Sequence, residues 1–388
     1  MATTEQLPPA VVLEQAGTGV EELYDELTDR CTRPVRLDDL VYGAAERVPG
    51  LVPTRTEIEA ERARKLADKQ GLELAQGLLT AEILKDARTG RHLIESMLHP
   101  TALAQEHLDE LRGTGTVDLG HARVTRHGRA GVLELCNPRH LNAEDSGTLA
   151  ATEAAVDLIL LDPEIEIGVF RGGVVGHPRY AGERPFGAGI NLTHLYHGRI
   201  DFLFYLVRDL GYVSKIYRGL AGPNATEKLW VAAVEQFAIG GACQLLHVMD
   251  HVIAVRGVRL YLPARKEGII PGASNLRLPR FVGDRAARQA ILSGREWTAG
   301  EPDADLICDE IVEAHEIEQA IDSRIEALTS SGLVNASANR AAMRVGEEPL
   351  DLFREYMATY SREQAYCHLS PALVHNLEQH WDADRRRL

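Results

Sequence analysis

The apolar residues of this chain change their period near residue 115, and that change constrains the fold more than any other feature. From 55 to 112 the chain is rich in Ala, Leu, Glu, Lys and Arg, as in TEIEAERARKLADKQGLELAQGL, with apolar residues three and four apart. Such spacing predicts amphipathic helices. GTGTVDLG (113–120) breaks it, and short β-type runs follow, at Val117, Val124 and GVLELCNP (131–138). AEDSGTLAATEAAVDLILL (143–161) then reads as a helix and EIGVFRGG (166–173) as a strand. The alternation returns at LWVAAVEQFAIGG (229–241), QLLHVM (244–249), HVIAVRG (251–257) and VRLYLPA (258–264). Strands alternating with helices predict an α/β core with crossover connections. From about 281 onward the pattern is mostly helical again.

With 388 residues and 45% hydrophobic content, the chain is long enough for a substantial core. The formal charge of −15 argues against nucleic acid or an anionic membrane as the main partner. Cys31, Cys136, Cys243, Cys308 and Cys367 are widely spaced with no CxxC, so neither a disulfide framework nor a zinc site is expected. The opening MATTEQLPPAVV lacks the basic and apolar regions of a secretory leader, and no apolar run reaches about 18 residues. A soluble, cytoplasmic protein is the expectation.

The glycine pair Gly240-Gly241 follows a run that reads as a buried strand. Without Cβ atoms the main chain turns sharply there and approaches a ligand closely. A helix over 242–249 would aim its first amides at an anion or a developing oxyanion.

Four motifs in order set this pair in context: NPRHLNA (137–143), FGAGINL (186–192), EKLWVAAVEQFAIGGACQLL (227–246) and GIIPGASNLRLPRFVG (268–283). Together they resemble the crotonase (enoyl-CoA hydratase/isomerase) superfamily. The resemblance implies an α/β fold: a crotonase-like ββα spiral core over 116–320, a helical N-terminal extension over 1–115 and a helical C-terminal region over 321–388. It implies an acyl-CoA ligand whose thioester oxygen meets the amides of Ile190 and Gly241, beside Gly189 and Gly240. Loss of one such donor costs about 3 kcal/mol. Arg139 and Lys228 are placed to meet the CoA phosphates. Homo-oligomers, trimers or dimers of trimers, are implied as well.

The departures from the superfamily pattern matter for the reaction. The two glutamates that hydratases use to move protons are replaced by Gln244 and Ala264. Neither side chain transfers a proton near neutral pH, so ordinary enoyl-CoA hydration is disfavoured. Asn191 replaces an Asp, and the loop before FGAG is long. These changes, GGACQ, KEGIIPG and EYMATYSREQAYCHLSPALVHNLEQHW (355–381) resemble a dioxygenase branch of the superfamily that serves glycopeptide-antibiotic biosynthesis. That likeness implies that O2 oxidises the α-carbon of (3,5-dihydroxyphenyl)acetyl-CoA, giving 3,5-dihydroxyphenylglyoxylate and CoA with no metal, flavin or other cofactor. A hydrolase or isomerase using the same amides without O2, and a non-catalytic acyl-CoA-binding protein, are the competing readings.

Ile190, Leu192, Ile269, Ile270 and Pro271 are expected as an apolar wall for O2, with Ile269 and Ile270 not both facing inward. Glu144 is a candidate to orient substrate hydroxyls or take a proton, and Gln244 to hydrogen-bond substrate or peroxide. Arg208 is expected to pair with substrate or product, or with an acid such as Asp209. The histidine pairs His247/His251 and His194/His197 have helical metal spacing but no carboxylate completing a site, so no metal is expected.

Overall fold

The computed structural model describes residues 7–222, 226–330 and 332–388; the first six residues of the stretch read for a leader lie outside these. The helical tract divides at identifiable caps. Thr54 and Glu57 form a reciprocal capping box on the helix Arg55–Arg62, and Asp86 accepts from two amides to start Ala87–Met97. Gly115, at φ 74°, ends Ala102–Thr114 in the left-handed conformation.

Beyond Gly115 the chain enters a seven-stranded sheet. β1 (Thr116–Asp118), β2 (Ala122–His127) and β3 (Ala130–Leu135) run antiparallel. β4 (Ile167–Gly172) lies parallel to β3, and β5 (Leu229–Val234) parallel to β4. Every residue of β4 and β5 is buried, which explains why neither strand alternates apolar with exposed polar residues. The run 229–241 holds two strands, because Gln236 takes a left-handed φ of 61° and turns the chain. After it, β6 (Phe237–Ile239) leaves the large sheet. β7 (His251–Val255) returns to pair with β5, and β8 (Arg259–Tyr261) pairs with β6.

The segment after 281 holds two short strands that periodicity did not predict: β9 (Glu296–Thr298) against β8 and β10 (Glu310–Val312) against β7. Three residues are too few for an alternation to register. The large sheet therefore runs β1-β2-β3-β4-β5-β7-β10, and the small one β6-β8-β9.

The helices at the two ends of the chain share one core. Leu79, Leu84, Leu93 and Met97 cluster with Phe353, Met357, Tyr360 and Leu373, and the same cluster takes in Ile190, Tyr205 and Ile269. Its tightest point is where Glu73–Lys85 crosses Leu350–His368: a Cβ on Gly77 would lie 2.5 Å from the Ala365 Cβ. A buried polar group ties the same pair of helices, since His368 Nε2 lies 2.8 Å from Glu73 Oε2. Burial works to raise the Glu73 carboxyl, but His368 and Lys69 hold it down at about 2.

Candidate active site

β6 ends at Ile239; Gly240, whose φ of 54° suits glycine, follows it, and the helix Gly241–Leu245 starts at the next residue. This helix is shorter than expected and tightens into a further turn, Leu246–Val248. Gly189, at φ 77°, approaches from the facing loop: a Cβ there would lie 2.8 Å from Ile239 O and 3.1 Å from Gly241 N. Only glycine permits that approach. Beside it, the Glu144 amide donates to Gly189 O and the Asn191 amide to Glu144 O, both at 2.7 Å. Ile190 lies between these bonds with its own amide outside the bridge. Among the described residues, neither Ile190 N nor Gly241 N donates to another protein group.

Ile190 and Gly241 line one cavity. Ile190, Phe204, Pro263, Ala264, Ile269, Ile270 and Pro271 form its apolar side; Glu144, Tyr205, Arg208, Asp209, Gln244, Glu267 and Tyr360 supply polar groups. Ile269 and Ile270 both line it, contrary to the alternation expected of a strand. The segment is a turn: Gly268 is left-handed and the Gly272 amide bonds back to Ile270 O. Helix Leu350–His368 holds that turn in place, with Gln364 Oε1 accepting from the Ile270 amide at 2.9 Å and the Tyr356 hydroxyl donating to Gly272 O.

Arg208 organises the polar side. Its Nε donates to both Glu144 oxygens at 3.1 and 3.0 Å, and its Nη1 to Asp209 Oδ1 at 2.8 Å and Gln244 Oε1 at 3.1 Å. Nη2 donates to Gly241 O at 2.8 Å, which ties the guanidinium to the glycine turn itself. Burial disfavours the cation, yet Glu144, Tyr212 and Asp209 hold its pKa well above the ordinary range. The Tyr212 hydroxyl also donates to Glu144. Asp209 Oδ2 is buried without a hydrogen-bond partner, and burial raises that carboxyl against the pull of Arg208 and Arg277. Glu267 is buried too, and burial alone pushes it up to about 8.

Several expected residues stand elsewhere. Leu192 opens the helix Leu192–Tyr196 and is outside the cavity lining, two places beyond Ile190 on a chain that has already turned. Arg139 is exposed and donates to Leu388 O at 3.3 Å. Lys228 is turned inward, donating to Ile159 O and Asp162 O at 2.6 Å, where it satisfies carbonyls at the end of the helix Ser146–Leu161. The paired histidines separate: His247 Nδ1 meets Ser274, His251 meets Glu310, His194 meets Asp145 and His197 meets Arg386 O. Asn191 caps the helix after Ile190 and donates to Asp145.

Sequence reasoning missed Glu267, Tyr205 and Tyr360 as cavity residues, and took Asp209 only as a partner for Arg208. Glu267 had a signal: it lies three residues after Ala264, on the same helix face. Tyr205 and Tyr360 had none.

Residues 131–361 match the enoyl-CoA hydratase/isomerase family. This chain belongs to that family. The (3,5-dihydroxyphenyl)acetyl-CoA 1,2-dioxygenase of Amycolatopsis orientalis is 49% identical over 351 residues, covering 89% of this chain and 80% of the relative. The crotonyl-CoA hydratase of Syntrophomonas wolfei is 27% identical over 217 residues, 55% of this chain and 78% of that one. An enoyl-CoA hydratase structure from Bacillus halodurans superposes with a TM-score of 0.56 at 18% identity, covering 67% of this chain and all of that one. One from Mycobacterium avium subsp. paratuberculosis gives 0.55 at 19%, covering 68% and 97%. The crotonase-like fold is thus established. In this enoyl-CoA hydratase/isomerase family member, helices before β1 and at the C-terminus pack in one core with the cavity residues Ile190 and Ile269.

Proposed function

We propose that this chain is a dioxygenase that converts (3,5-dihydroxyphenyl)acetyl-CoA and O2 to 3,5-dihydroxyphenylglyoxylate and CoA, with no metal or flavin. The observation that carries the reading is the 49% identity to the named dioxygenase over 89% of this chain. The cavity supports it. The amides of Ile190 and Gly241 receive the thioester oxygen, which acidifies an α-CH2 already flanked by an aryl ring. The resulting carbanion passes an electron to O2 and recombines to a peroxide. Attack of the peroxide on the thioester carbonyl expels CoA as its thiolate and closes a four-membered peroxylactone; loss of the second α-proton then forms the ketone C=O as the O–O bond breaks, leaving the keto acid with both oxygen atoms. Gln244, held by Arg208, offers its amide to the substrate or peroxide, and Glu144 orients the ring hydroxyls. The apolar side formed by Ile190, Ile269, Ile270 and Pro271 suits an unpolar gas.

The same reading has the protein work in the cytoplasm as a homo-oligomer, with 1–115 and 321–388 flanking a catalytic core at 116–320. The test is stoichiometry with chelator-treated protein: one O2 consumed per CoA released, and both atoms of labelled O2 in the acid. Thiol release that proceeds undiminished without oxygen points instead to a hydrolase. Binding without product in air points to a non-catalytic acyl-CoA-binding protein.

A further inference from the structure

Glu267 ends the short helix Ala264–Glu267 with its side chain among the cavity-lining groups. Its Oε1 lies 3.9 Å from where a Cβ on Gly240 would stand, one residue before the Gly241 amide. The residue is 6% exposed, and among the described residues its carboxyl has no hydrogen-bond or ion-pair partner. The other cavity carboxylates are held by Arg208, Glu144 through both oxygens and Asp209 through Oδ1, with its Oδ2 left without a partner. A buried, unpartnered carboxyl against the glycine turn is a costly arrangement for structure alone.

We infer that Glu267 is the base that removes the substrate's α-proton. The inference rests on the reading that an arylacetyl thioester occupies the cavity with its oxygen at Ile190 and Gly241. In the step, the α C–H bond breaks heterolytically and its electron pair forms the enolate double bond. The carbonyl π pair moves to the oxygen at the two amides, and the proton goes to a Glu267 oxygen.

The surroundings suit a base in the neutral range. Tyr205 and Tyr261 stand near enough for the Glu267 charge to raise their pKa values, and Tyr360 lines the same cavity. Glu144, Arg208 and Asp209 face the cavity from the other side of the glycine turn. On its own helix Arg265 and Lys266 are exposed. The helix Pro371–Trp381 packs on this turn and brings the neutral Asn376 to Gly268, while its His375 and Glu378 are exposed. The segment Gln289–Ser293, also packed there, carries no charge.

The experiment is α-proton exchange of (3,5-dihydroxyphenyl)acetyl-CoA in D2O under argon, followed by NMR, with the thioester Kd measured separately. The wild-type protein is expected to wash in deuterium at a rate that rises with pH to a plateau through a midpoint near 8. Glu267→Gln is expected to slow exchange about 100-fold or more at unchanged Kd, and to lose that inflection. Glu267→Asp, which keeps the carboxyl, is expected to retain a measurable part of the rate. Exchange by Glu267→Gln within about twofold of wild type overturns the inference, as does a loss explained by weaker binding or no exchange by the wild type. Oxygen uptake is scored apart: a protein that exchanges through Glu267 yet consumes no O2 refutes the dioxygenase reading and leaves this one standing.

Discussion

At the residue scale the site depends on one guanidinium. Arg208 bonds to groups contributed from positions 144, 209, 241 and 244, so removing it strands two buried carboxylates. Breaking one side of a buried pair typically costs 3–5 kcal/mol. Arg208→Met is therefore expected to lower unfolding stability by about that much in urea titrations, and adding Glu144→Gln should recover part of the loss. Gly241 is equally constrained, since a Cβ there would lie 2.2 Å from Glu144 Oε2. Gly241→Ala should lower kcat/KM for CoA release about 100-fold, by displacing that carboxylate and the amide beside it. Glu144, Arg208 and Gln244 were each legible as candidates from the sequence. Their mutual bonding was not, because Arg208 lies 64 positions from Glu144 and 36 from Gln244, and no local pattern reports such a contact.

At the element scale, the crossing of Glu73–Lys85 over Leu350–His368 controls the cavity wall. Helix propensity favours alanine over glycine at position 77 by about 1 kcal/mol. The Cβ would however stand 2.5 Å from Ala365 and 2.9 Å from Phe202, and packing decides the sign. Gly77→Val is expected to cost about 1–3 kcal/mol in thermal unfolding. It should also lower turnover, because the displaced helix carries Tyr360 and the Gln364 side chain that holds Ile270. Elsewhere, Glu348 anchors the C-terminal helices to Arg277, Arg218 and Arg280. Burial works to raise its carboxyl, but the arginines hold it at about 2 against an ordinary 4.5. A depressed folded pKa stabilises above the unfolded value and loses that contribution as pH falls through the folded one. About 3 kcal/mol should disappear between pH 4.5 and 2, and Glu348→Gln should flatten this part of the urea-midpoint profile against pH.

At the scale of the whole molecule, the N-terminal helices up to Ala87–Met97 and the helices Leu350–His368 and Pro371–Trp381 share one core beside the cavity. Their common core contains Leu79, Met97, Phe353 and Tyr360 together with the cavity residue Ile190. Removing residues 1–115 should therefore expose that core and yield protein that aggregates or digests readily, rather than a smaller active enzyme; limited proteolysis of the shortened chain checks this. Local composition and spacing are enough to give the alternation of strands and helices and the two glycine turns, and the resemblance to the family adds that Gln244 and Ala264 stand where hydratases carry glutamates. That Lys228 points inward, that Ile269 and Ile270 both line the cavity, and that Glu267 stands against the glycine turn came from packing between separate segments. Those placements depend on which distant segments press on a turn, and packing between stretches many tens of residues apart leaves no period in the chain.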